Sequence, residues 1–197
     1  MAAAVVAMLV LAACSGSDPE AEPRTTVPIL TTTTTTDPYA PPPVIDAAYV
    51  NRVLAGLDQV VGEAVRMALE HRAVTPQVEE YLRAAYADEG DAFVAHRERL
   101  QNDAERASDN IREPPGRQAT TVSRLISIRA DCIFAEVHRD FSAVVIKPNP
   151  ELAVQWIGLK PLDRRRDPAD VNPTPWMYVY DGFPRSHTQP SDPCAST

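Results

Sequence analysis

The chain has 197 residues, a formal charge of −8 and 6% aromatic residues, which excludes the basic surface needed to grip phosphate backbones, so neither DNA nor RNA is expected as a partner. Nineteen prolines stand against seven glycines, and Pro19, Pro23, Pro28, Pro38, Pro41, Pro42 and Pro43 all fall near the N-terminus. The composition therefore divides into a Pro-rich leading stretch and a body of ordinary globular make-up.

Residues 2–13, AAAVVAMLVLAA, are apolar throughout. That length suits the core of a signal peptide and falls short of the roughly 20 residues that span a bilayer. The stretch ends at Leu11-Ala12-Ala13-Cys14, followed by the small polar Ser15, Gly16 and Ser17. These residues resemble the lipobox of bacterial lipoproteins, and the resemblance covers residues 1–14. It implies a signal peptide over 1–13 whose removal leaves Cys14 first, acylated by diacylglycerol and a fatty acid such as palmitate. One feature departs from the pattern: Met1–Ala4 holds no Lys or Arg, so either translation starts upstream or the signal is atypical. Each buried methylene contributes about 0.8 kcal/mol, and two or more acyl chains anchor stably where one does not. The expected place is the extracytoplasmic face of the cell membrane, held by lipid on Cys14.

Residues 14–43 are rich in Thr and Pro and carry few large apolar side chains. They cannot bury enough surface to offset the entropy of ordering, so a disordered tether is expected, with Thr31–Thr36 either plain spacer or O-glycosylated. A folded domain is expected over 44–197, long enough for one real core.

Asp46 is a plausible N-cap, and Val50, Val53, Leu54, Leu57, Val60, Val61, Ala64, Val65 and Ala68 recur at three- and four-residue steps, predicting a helix over 46–72 with His71 and Arg72 in its last turn. Thr75-Pro76 predicts a second start, with Val78, Tyr81, Leu82, Ala85 and Tyr86 on its apolar side. After Gly90, Asp91 is the expected cap of a third helix along Phe93, Arg97, Leu100, Ala104, Ala107 and Ile111, stopped by Pro114, Pro115 and Gly116.

Beyond Gly116 the period changes to two. Alternation over 122–129 and 133–141 predicts two strands, and 142–147, 152–159 and 176–181 predict three more. No helix separates them, so the sheet is expected to be antiparallel and the fold class α+β. Helices followed by a meander of strands over 44–190 are similar to the NTF2-like superfamily, and to secreted lipoproteins of actinobacterial type that carry such a domain. That resemblance implies helices packed into the concave face of a curved, cone-shaped sheet.

With Cys14 lipidated, Cys132 and Cys194 remain. In an oxidising compartment a disulfide between them is the economical expectation.

His71, His96, His138 and His187 are scattered, and the chain has no H-E-x-x-H, C-x-x-C, phosphate-cradling glycine loop or G-x-S-x-G elbow. No metal and no cofactor are therefore expected. The best constellation is His138-Arg139-Asp140 at a strand end, with Trp176, Tyr178 and Tyr180 expected on one face of the last strand. Enzymes of the resembled superfamily place a carboxylate or His base beside a Tyr donor inside the cone, which implies His138, Asp140 and Tyr178 as candidate catalytic residues. The competing reading makes those aromatics core and the charged residues a solvated turn. Lys160, Arg164, Arg165 and Arg166 form a cationic cluster diluted by Asp163, Asp167 and Asp170, either a solvated loop or a contact for an anionic envelope polymer. Two functions stay open. One is a non-catalytic, membrane-anchored lipoprotein whose domain binds an envelope protein or small ligand; the other is a small extracytoplasmic enzyme of isomerase or dehydratase type.

Overall fold

The carboxylate of Asp46 accepts the backbone N–H of Tyr49 at 2.8 Å, and α1 (Ala47–His71) begins there. A computed structural model describes residues 37–87, 92–106, 110–182 and 190–195. Cys14, Thr31–Thr36, Asp91 and His187 lie outside the described residues. In α1 the three- and four-residue steps become a buried stripe from Val50 to Ala68. Arg72 closes the helix at its C-cap in the left-handed region, φ 53°, with its N–H returned to the Ala68 and Leu69 carbonyls. The Thr75 hydroxyl accepts the Val78 N–H at 3.3 Å and starts α2 (Pro76–Ala85), with proline in its first turn where a missing N–H costs nothing. The third helix, α3 (Ala92–Arg106), stops before the expected Ile111.

Four strands follow: β1 (Ala119–Arg129), β2 (Cys132–Asp140), β3 (Val154–Pro161) and β4 (Trp176–Gly182). They pair antiparallel in chain order. Among the described residues the domain is thus α+β, three helices packed on a four-stranded sheet. Among the described residues no helix is long and apolar enough to cross a membrane.

The strand expected at 142–147 is not one. The Val144 and Val145 amides turn back onto the Phe141 carbonyl at 2.8 and 2.9 Å. The segment then pairs with the α3–β1 connection, Arg112 N to Val144 O at 2.9 Å and Ile146 N to Asn110 O at 2.7 Å. Its backbone therefore pairs with a loop rather than with a sheet strand. The alternation expected over 122–129 is broken by two bulges in β1. Val122 and Leu125 consequently pack against the helix-side core while Ile126 packs on the other face.

That helix-side core joins α1, α2 and α3 to Ile133, Ala135, Val137, Ile157, Leu159, Trp176 and Tyr178. Tyr39, within the stretch expected to be tether, packs against it, and its carbonyl accepts the Tyr49 hydroxyl at 3.0 Å. The opposite face of the sheet is covered by a smaller cluster of Phe134, Trp156 and the disulfide between Cys132 and Cys194.

Gly56 lies where α1 meets the 161–175 loop. A Cβ there would stand 2.5 Å from the Thr174 methyl, and Thr174 is held by hydrogen bonds to Asn172 and Trp176. Alanine gains about 1 kcal/mol of helix propensity over glycine, but overpacking a well-fixed neighbour costs about 1–3 kcal/mol. Gly56→Ala is expected to lower stability, measured as a drop in the urea midpoint; a raised midpoint would show that the loop gives way freely.

Candidate functional site

Arg139 continues the inward series Ile133, Ala135 and Val137 on β2, so a guanidinium only 3% exposed enters the interior behind three apolar side chains. β4 supplies the counter-charge through a bulge. Tyr178 opposes Leu159 and Tyr180 opposes Gly158, which leaves Val179 as the extra residue. The insertion inverts the alternation: Trp176 and Tyr178 join the helix-side core, Tyr180 packs on the other face, and Asp181, opposite Ile157, turns inward. The three aromatics expected on one face are therefore divided.

The Asp181 carboxylate, its side chain 1% exposed, collects three donors. Arg139 Nη1 lies 3.0 Å from each of its oxygens. From α3, His96 Nε2 lies 3.0 Å away, and the Tyr86 hydroxyl, just past α2, donates at 3.3 Å. Arg139 Nη1 also donates to Gln155 Oε1 at 2.9 Å. Tyr86 stacks between His96 and Tyr178, with ring centroids 4.3 and 5.2 Å apart. Among the described residues, Arg139 Nε, Arg139 Nη2 and the Tyr178 hydroxyl are buried without a hydrogen-bond partner.

Burial by itself would raise the Asp181 carboxyl, but the fields of Arg139 and His96 and their hydrogen bonds outweigh it and hold the group well below the usual carboxylate range. Arg139 is in turn kept firmly protonated, since the attraction of Asp181 exceeds the desolvation of the cation. The Tyr86 and Tyr178 hydroxyls are pushed up, chiefly by burial. A second inward carboxylate, Asp58 of α1, takes Thr120 N at 2.7 Å, Thr120 Oγ1 at 2.8 Å and Gln118 Nε2 at 2.9 Å. Burial still wins there and its carboxyl is raised.

A cavity of about 370 Å³ opens beside this cluster. Tyr86, His96, Arg139 and Gln155 form its polar floor, and Val61, Val65, Leu69, Leu100, Phe141 and Val144 are among its apolar walls. The exposed lining residues Arg99, Asp103, Arg117, Lys147 and Asn149 surround its mouth. His96 is positioned by Asp181 through Nε2 at 3.0 Å, which leaves Nδ1 as the second polar atom of its ring. Among the described residues no group of three or more His, Cys, Asp or Glu could hold a metal ion.

The residues expected to form the site do not come together. His138 and Asp140 are exposed on the face of β2 opposite Arg139, and the Ser142 backbone N–H bonded to Asp140 at 2.8 Å lowers that carboxyl. Tyr178 is fully buried on the inner face and lines no part of the cavity. The physical reason is strand parity, which sends residues 138 and 140 outward when 139 points in. The signal for Arg139 was present as a charge on an apolar-alternating face. His96 stands three residues after Phe93 and four before Leu100, on the buried side of α3, where the helix reading had placed Arg97. Asp181 had no such signal, because a bulge is not legible in WMYVYDG.

The cationic 164–166 segment is mostly engaged. Arg164 bonds Asp170 at 2.7 Å, Arg165 bonds Asp163 twice at 3.0 Å, and Arg166 donates to the Tyr86 carbonyl at 3.2 Å. Asp167 caps the same loop through the Val171 and Asn172 amides, and Asn172 Nδ2 ties it to the Ala84 and Trp176 carbonyls.

No family model matches the chain, and no match was found among curated proteins or solved structures.

Proposed function

We propose that this chain is a membrane-anchored envelope lipoprotein, attached through lipid on Cys14, whose α+β domain binds a small molecule in the cavity beside Arg139 and Asp181. The observation that carries the binding half is the cavity itself: about 370 Å³ of space with apolar walls and a few convergent polar groups on its floor, the usual composition of a small-molecule site. Helices followed by an antiparallel meander also support the NTF2-like, cone-shaped reading, in which the hollow of the sheet is the binding place. Anchorage is carried by the Leu11–Cys14 pattern.

Replacing Cys14 by Ser and fractionating cells tests the anchor. The variant is expected to leave the membrane fraction; retention there would overturn the lipoprotein reading.

One observation favours a second reading, an enzyme of isomerase or dehydratase type. His96, oriented by Asp181 and placed in the cavity wall, has the arrangement of a general base. Mass spectrometry of small molecules co-purifying with the wild type and with His96→Gln separates the two. The same molecule in both indicates binding alone, whereas a different molecule accumulating on His96→Gln indicates turnover.

A further inference from the structure

The cavity's charges are divided between floor and mouth. On the floor, Arg139 spends Nη1 on Asp181 and Gln155, and its Nε and Nη2 are sealed from solvent. A ligand entering the cavity therefore meets no free charge there, only the ring of His96. At the mouth, Asp103 and Arg99 are four residues apart on α3 and interact; burial raises the Asp103 carboxyl on balance, against the lowering by Arg99 and Arg106. Arg117, before β1, and Lys147, in the 141–149 segment, have side chains that make no ion pair among the described residues. The entrance is consequently cationic on a chain whose overall charge is −8, and long-range attraction there runs against the sign of the whole protein.

We infer that the ligand is an amphipathic organic anion, its apolar body against Val61, Val65, Leu100 and Phe141 and its anionic group at Arg117 and Lys147. The inference rests on the proposed small-molecule function and adds its chemical class. Recognition divides as in other such sites: apolar walls supply affinity, and a charge-assisted contact at the rim fixes orientation and sign.

The test uses the full chain carrying Cys14→Ser and three probes of one chain length, decanoate, decanol and decylamine, titrated calorimetrically. Decanoate is expected to bind about tenfold or more tighter than decanol, with decylamine weakest. Arg117→Glu with Lys147→Glu is expected to remove that preference while leaving decanol binding and the thermal midpoint unchanged, since both side chains are exposed. Val65→Trp, which projects an indole into the cavity among the apolar walls, is expected to block binding of all three. If decanol binds as tightly as decanoate and Val65→Trp still blocks it, the anionic class is wrong and the cavity reading stands. If no probe binds saturably, or if binding ignores Val65→Trp, the cavity reading fails as well.

Discussion

Replacing Asp181 by Asn is expected to cost about 3–5 kcal/mol of folding stability, because it leaves the buried Arg139 cation without its counter-charge. The guanidinium is only 3% exposed, so it recovers little solvation from water. The double variant Arg139→Met with Asp181→Leu is expected to lose less than Asp181→Asn, since no unpaired charge remains, but to stay below the wild type because the buried Tyr86 hydroxyl, His96 Nε2 and Gln155 Oε1 lose their partners. Urea denaturation at constant m-value reads both outcomes. If the double variant is as unstable as the single one, packing rather than the unpaired charge is the cause. The same pair sets a pH dependence. Asp181 has a depressed folded-state pKa, so its contribution is fully present above the unfolded value near about 4 and is lost as pH falls toward the lower folded value. Asp58, with a raised pKa, acts oppositely: its contribution is present at low pH and disappears as pH rises through the folded value. Wild type is therefore expected to lose stability below about pH 4, and Asp181→Asn to lose less or even gain over the same range.

Loss of the Cys132–Cys194 bridge is expected to cost about 4 kcal/mol in the chain-entropy model, for a sequence separation of 62. The bridge holds the segment around Cys194 against the sheet face opposite the helices. Cys194 O accepts Arg129 Nη1 at 2.7 Å there, and an added Cβ on Gly158 would stand 2.8 Å from Pro193. The glycine thus gives the terminal segment room to lie flat on β3. Cys132→Ser with Cys194→Ser, or reduction of the wild type, is expected to lower the denaturation midpoint accordingly and to expose Phe134 and Trp156. A loss below about 1 kcal/mol would mean that the segment is held by its packing and not by the covalent closure. The cavity lies on the helix side of the sheet, so ligand binding below the new midpoint should persist.

Much of the helical layer was legible because its signals are local. Asp46 and Thr75 cap α1 and α2 where the residue chemistry says they must, and the apolar steps of α1 map directly onto its buried stripe. The Cys132–Cys194 pair was expected from cysteine number together with a proposed oxidising compartment, and the disulfide is present. The sheet was less legible. Alternation is a period of two, so one bulge reverses every residue after it, and it did so twice in β1 and once in β4. The 142–147 run also read as a strand because SAVVIK carries strand-forming residues, whereas its backbone partners lie in the α3–β1 connection.

By itself the sequence determined the α+β class, the positions of α1 and α2 with the caps that start them, and the approximate place of α3. These depend on residue type and spacing within one element. Only the tertiary structure decided which face of β2 meets the helices and so carries Arg139 inward, that Asp181 meets Arg139 and His96 across 42 and 85 residues of chain, and that a cavity opens beside them. Those outcomes depend on which strand faces which and on where a single extra residue is inserted, and neither is written in the periodicity of any one segment.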